Sequence, residues 1–201
     1  MPSAPSVWGP PTWKLLHLIT IKPTQPITTY QEFFYYLRFM LPCKKCQHNY
    51  TEHVYHLPIP KYKKDLSLWL IQVHNRVNQS IHKEQPLPSQ LLSHWQQTHQ
   101  EQTSLLSLII PVMYYFIQSH PGYYKTTPEF HQAHQLFWNT LPLFFSHLPD
   151  STPLTHYLTT HPPPILYKER YFTWFKQLQK HFHYKTTTPL QQMHCDKVCR
   201  I

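Results

Sequence analysis

Two glycines stand against 21 prolines in this chain of 201 residues, and that imbalance limits the folds open to it. Tight β-hairpins turn on residues at positive φ, which glycine and asparagine supply most readily, so an all-β fold is poorly served. Helices separated by proline-containing loops suit the composition better. A mass of 24.3 kDa and an aromatic share of 15% give enough apolar material for one large domain or two small ones, and argue against disorder over most of the length. The expected fold class is all-α.

Hydrophobic spacing places the helices. Pro11 and Thr12 open one with Trp13, Leu16, His17 and Thr20 on a single face, closed by Pro23. Thr29 and Glu32 have capping-box spacing at the start of a second, whose stripe is Phe33, Leu37, Met40 and Leu41. Pro42 ends it and opens a third helix from Cys43 to about Tyr55. A fourth begins at Asp65 and carries Leu66, Leu70, Val73, Val77 and Ile81 at helical period. Ser89 caps a short fifth that ends beyond Trp95. Five helices with short loops make a compact bundle. Residues 86–88 and 98–104 read as boundary material, which divides the chain into an expected domain over 1–102 and a helical domain over 103–201. The latter has candidate helices near 104–118, 129–146, 153–160, 167–184 and 190–200 and its own aromatic core.

The net charge is +9, with 18 Lys and Arg against 9 Asp and Glu. Ten basic residues and five acids fall in 1–102, eight and four in 103–201. Neither half is a basic arm, so the charge indicates general attraction to acidic partners and no specific nucleic-acid surface. The first five residues lack the basic and apolar regions of a signal peptide, and the greasiest run, Leu105 to Ile117, is too short to span a bilayer. The expectation is a cytoplasmic protein without a transmembrane segment.

Four cysteines form two close pairs, Cys43/Cys46 and Cys195/Cys199. Cysteines three apart on a helix share a face, near enough to close a disulfide or grip a metal. At a helix start the dipole and free N–H groups favour a thiolate, and Lys44 and Lys45 add positive potential. Alone, the pair reads equally as half a zinc site, with His48, His53 or His194 supplying ligands, or as a redox pair. A thioredoxin-type pair needs a preceding strand, and here an amphipathic helix precedes it. His74 and Asn78, with Asn75 one step round, lie beside the apolar stripe of the fourth helix, where buried polar groups need partners. Trp13 and His17 are likewise four apart. By themselves these read as core residues. Gly9 is notable because glycine is so scarce, and a glycine ahead of a helix permits close approach to a ligand.

Taken in order, Trp8-Gly9-Pro10-Pro11-Thr12-Trp13-Lys14-Leu15-Leu16-His17, then Pro42-Cys43-Lys44-Lys45-Cys46, then His74-Asn75-Arg76-Val77-Asn78, the first half of the chain resembles the Erv/Alr family of FAD-linked sulfhydryl oxidases. The resemblance implies a helical bundle holding FAD, with Trp8, Gly9, Trp13, His17, His74, Asn75 and Asn78 around the flavin. It implies that Lys83 faces the diphosphate and that Trp95 packs on the cofactor. It makes Cys43 the exposed sulfur attacked by protein dithiols or a thioredoxin-like carrier, and Cys46 the inner sulfur against the flavin. Electrons would pass to O2, giving hydrogen peroxide. A homodimer is the usual family state, and the appended second half resembles some virus-encoded members, which carry large extra domains.

Departures are visible. Pro10 stands where many members carry Arg, Gln47 replaces a basic residue after the cysteine pair, and the second structural cysteine pair after HNxVN is missing. Cys195 and Cys199 read as a shuttle pair, as a structural disulfide or, with His194, as part of a metal site. The rival reading of the whole is a non-enzymatic helical module stapled by zinc or disulfides.

Overall fold

A computed structural model describes residues 4–122 and 125–184. Cys195, Cys199 and the expected helix over 190–200 lie outside the described residues. Among these residues all regular structure is helical: α1 Pro5–Ile21, α2 Ile27–Met40, α3 Lys44–His56, a 3-10 turn Lys63–Asp65, α4 Leu66–Ser80, α5 Pro88–Glu101, α6 Leu105–Gln118, α7 Pro128–Phe144, α8 Ser151–Thr160 and α9 Lys168–His181. The all-α expectation holds.

Several starts differ from the sequence reading. Helix α1 begins at Pro5 and runs through Pro10 and Pro11. Those prolines remove donors to the carbonyls of Ser6 and Val7, which lie in an exposed first turn where water serves instead. Gly9 helps, because the residue before a proline is driven from the helical region partly by its Cβ, and glycine has none. Gly9 therefore sits inside the helix, not ahead of it. The capping box at Thr29 and Glu32 is not formed. Pro26, at φ −54° and ψ 148°, is the N-cap of α2, three residues earlier, and no side chain caps the helix. The stripe of α4 also stops short: Leu66, Leu70 and Val73 are buried, but Val77 is half-buried and Ile81 is exposed. Helix α5 continues through Glu101, taking up part of the stretch expected as a boundary.

Scarce glycine has a consequence at two helix ends. After α4, His82 adopts φ 56°, its N–H donates to Gln79 O at 3.1 Å and Lys83 N–H donates to Asn78 O at 2.9 Å. After α9, His183 at φ 51° repeats the pattern, with Tyr184 N–H on Gln179 O at 2.9 Å. These are Schellman caps with histidine in the left-handed position that glycine usually fills.

Packing joins the two halves. Helices α1, α4 and α5 pack on one another and α3 packs on α2 and α4, while α6 lies against α1 and α7 lies against α2. Tyr30 of α2 stacks on Phe144 at 4.6 Å, and Phe33 meets Phe144 edge-on at 5.2 Å and Phe137 at 5.9 Å. Each such buried ring contributes about 1.5–3 kcal/mol through burial, with a further ~0.5–1.5 kcal/mol per favourable ring pair. Asp150 adds a polar tie: its carboxylate accepts Leu105 N–H and Leu106 N–H, both at 2.9 Å, and the Ser104 hydroxyl at 2.8 Å. A side chain 45 residues away in sequence thus caps the start of α6. Asp150→Ala is expected to cost about 2 kcal/mol in a urea unfolding titration, because two helix N–H groups lose their partner.

In the second half, Tyr171 is wholly buried and its hydroxyl accepts the Trp138 indole N–H at 2.7 Å. Its own proton is then available to His134 Nδ1 at 3.1 Å, which puts the imidazole hydrogen on Nε2. That nitrogen is buried without a partner.

Candidate functional site

Helix α3 positions the cysteine pair. Cys43 is its N-cap, one residue before the helix proper, and its sulfur accepts the backbone N–H of Cys46 at 3.3 Å. Both thiols are free and half-buried. The loop before them is fastened by Gln47, whose amide donates to Leu41 O at 2.8 Å. Gln47, which in sequence is only a missing basic residue, is therefore a staple of the cysteine loop. Tyr50 OH on Phe34 O at 2.8 Å and Trp69 Nε1 on Leu57 O at 2.9 Å fix α3 against its neighbours.

The two sulfurs are not equivalent. Burial, then the hydrogen bond and charge of the Cys43 sulfur, push the Cys46 thiol up to about 12, and Lys45 opposes this only weakly. Burial thus dominates at Cys46. In the dithiol form its proton stays in place at neutral pH, and Cys43 is the sulfur presented with a backbone donor.

A second cluster forms where α1, α4 and α5 meet. The Trp13 ring lies on His74, with centroids 3.9 Å apart and planes 9° from parallel. His17 lies on Trp95 at 4.8 Å and 11°. His17 Nε2 and His74 Nδ1 are 2.9 Å apart and share one hydrogen between them. Four aromatic residues from three helices make one polar-seamed wall. Burial holds both histidines neutral. It lowers His74 to about 4, aided by the nearby Lys83 charge, and lowers His17 well below the ordinary range, aided by His74 and His94. Lys83 is therefore close to the wall, brought back by the left-handed turn at His82.

Asn75 and Asn78 have a task the sequence did not show. The Asn75 amide donates to Pro86 O at 3.2 Å and that of Asn78 to Glu84 O at 3.3 Å, fastening the loop after α4. Three buried atoms of this region lack a partner: Trp8 Nε1, Asn75 Oδ1 and Trp95 Nε1. Two donors and one acceptor left without a mate in α1, α4 and α5 are what a planar, polar-edged ligand would satisfy, since leaving each of them unpaired costs about 1–3 kcal/mol. A Cβ placed on Gly9 would meet nothing within 4 Å, so the backbone there borders open space. The structure thus draws Trp13, His17, His74, Trp95 and Lys83 together, places Trp8, Asn75 and Asn78 on the same helices, and keeps Cys43 and Cys46 on α3. No group of three or more His, Cys, Asp or Glu at metal-ligand spacing occurs among the described residues.

The description of one family model, the Erv1/Alr family, fits residues 10–101. Over that span the chain is similar to the Erv1/Alr family. A probable FAD-linked sulfhydryl oxidase of Acanthamoeba polyphaga mimivirus is 33% identical over 84 residues, which is 37% of this chain and 59% of that relative. The chain thus spans less than two thirds of the relative's length. No solved structure matches. Every motif of the resemblance except the opening Trp8 and Gly9 falls within the matched span, and α6–α9 lie beyond it. Among the described residues no helix is long and apolar enough to cross a membrane.

Proposed function

We propose that the chain is an FAD-dependent thiol oxidase that converts protein dithiols to disulfides. The observation that carries the reading is the aromatic wall of Trp13, His74, His17 and Trp95 bordered by the unpartnered Trp8, Asn75 and Trp95 atoms. The likeness of residues 10–101 to the Erv1/Alr family and to the FAD-linked relative supports it. In this reading the wall, Gly9 and the three helices hold FAD, with Lys83 toward its diphosphate and the two asparagines shaping the loop that borders it. Bound FAD supplies a two-electron acceptor that returns to its oxidised form by reducing O2 to hydrogen peroxide.

The chain's own steps follow from the two sulfurs. In the oxidised pair, a substrate thiolate attacks the Cys43 sulfur, a bond forms between those sulfurs, and Cys46 leaves as thiolate. The second substrate thiolate attacks the substrate sulfur of that mixed disulfide and releases Cys43. The substrate departs as a disulfide, and Cys43 and Cys46 hold the two electrons as thiols. Re-oxidation needs the Cys46 proton to leave, which its burial opposes until the acceptor stands beside it. The neutral histidines add no charge of their own to the wall, and the packed rings exclude water from it.

The direct test is an absorption spectrum of the purified protein before and after dithiothreitol in air-free buffer. The expected result is a band near about 450 nm that bleaches with the dithiol. A colourless protein that takes up no added FAD overturns the reading. His74→Ala removes one ring of the wall and the partner of His17, and is expected to lower the FAD content of purified protein about tenfold or more, the equivalent of one stacked ring. An FAD content equal to that of the parent protein would return His74 to a packing role.

A further inference from the structure

A groove of about 940 Å³ opens beside the cysteine loop and is walled on its far side by the second half of the chain. Leu41, Pro42, Lys44 and Gln47 form its near side, and Cys43 lies between Pro42 and Lys44 in the chain. Its far side brings in Pro121, Lys125, Glu129, Phe130 and Lys168 from around the starts of α7 and α9. Three lysines therefore face one glutamate across walls of proline, leucine and phenylalanine. Among the described residues the one ion pair is His56 with Glu52, so none of these lysines pairs with a described carboxylate.

The far wall is built, not loose. His120 is buried at 4% exposure; its Nδ1 accepts Gly122 N–H at 3.0 Å and its Nε2 donates to Ile165 O at 2.8 Å, which joins the turn after α6 to the segment before α9. Lys168 Nζ donates to Gln118 O and keeps two further donors. A groove held open in advance loses little freedom when a ligand enters.

We propose that this groove docks the polypeptide segment carrying the substrate cysteine, and that it selects segments with Asp or Glu close to that cysteine. The carboxylates meet Lys44, Lys125 and Lys168, apolar side chains lie on Pro42, Pro121 and Phe130, and the cysteine is delivered to the Cys43 end. The proposal rests on the thiol-oxidase reading for what happens to that cysteine, and it adds the substrate class and gives α6–α9 a part in choosing it. Charge complementarity of this kind acts mainly on encounter and on rejection of the wrong partner. A small dithiol needs no groove and is indifferent to it.

The test uses the full-length protein and its Lys125→Glu/Lys168→Glu variant with two reduced peptides of equal length, each holding two cysteines, one flanked by Asp and Glu and one by Lys. Expected for the parent is a kcat/KM for the acidic peptide about tenfold above that for the basic one, shrinking as salt rises. The double variant is expected to reverse the preference while oxidising dithiothreitol at the parent rate. Equal kcat/KM for both peptides, or a variant that slows dithiothreitol as much as acidic peptide, overturns the docking proposal. Fluorescence anisotropy with the same peptides labelled and S-methylated reads binding without any oxidation. If dithiothreitol is not oxidised at all, the oxidase reading fails, and anisotropy still decides whether the groove prefers the acidic peptide.

Discussion

Cys46→Ser is expected to abolish oxygen consumption with any thiol while leaving FAD bound. Cys43 alone can exchange with a substrate disulfide, but it has no neighbour to close a bond with, so no pair of electrons is collected in the chain. Serine nearly matches cysteine in size, and a half-buried position beside the first turn of α3 tolerates it. The folded state and the aromatic wall on other helices should therefore survive. The fall in turnover should reach about a thousandfold or more, since the hydroxyl is no substitute for the leaving sulfur in disulfide exchange. An oxygen electrode with dithiothreitol reads the rate, and the spectrum of the same sample reads the cofactor. Parent-like oxygen uptake by this variant would remove the Cys43/Cys46 pair from the mechanism.

Acid should unfold the protein early. Burial lowers His74 to about 4 and His134 to about 3, and pushes His17 down as well. An unfolded histidine titrates near ~6.5. Above that pH neither state carries the proton, and stability is unaffected. Below it the unfolded chain takes up protons that the folded chain refuses, so stability falls with pH. The loss runs from about pH 6.5 down to the folded values, near 4 for His74 and near 3 for His134. Each pH unit in that window costs about 1.4 kcal/mol per histidine. At pH 5 His74 and His134 together forfeit about 4 kcal/mol, approaching a small domain's whole net stability, and His17 pushes in the same direction. Thermal melts between pH 7.5 and 4.5 would check this. His134→Gln, which removes one of these histidines but keeps a polar group near Tyr171, should flatten the slope by about 1.4 kcal/mol per pH unit. A pH-independent melting temperature would mean that water reaches these rings.

Much of this was readable in sequence because it depends on spacing along one helix. The cysteines three apart, Trp13 with His17, and His74 with Asn78 are all separations that a helix converts into neighbours. What could not be read depends on distant chain. Trp13 lies on His74 and His17 on Trp95 because α1, α4 and α5 meet, which the resemblance implied but no local period shows. Nothing in the sequence set Lys125 and Lys168 across a groove from Lys44, or Asp150 on the first turn of α6. The asparagines of HNxVN and Gln47 are loop staples whose acceptors are backbone carbonyls, invisible to residue patterns. Glycine scarcity correctly argued for helices, yet it hid two helix ends, because histidine took the left-handed position at residues 82 and 183. The early start of α1 was missed for the opposite reason: Pro11 read as the helix's opening residue, but an exposed first turn can spare the hydrogen bonds that Pro10 and Pro11 remove.

The pairing of α2 with α7 also sets an order of events at the ribosome. Tyr30 and Phe33 leave the exit tunnel about a hundred residues before Phe137 and Phe144, the rings that cover them. At roughly 5–20 residues per second, that leaves the apolar flank of α2 open for about 5–20 seconds in every round of synthesis. The nascent cysteine pair passes through the same interval, in a chain whose protective partner has yet to be translated.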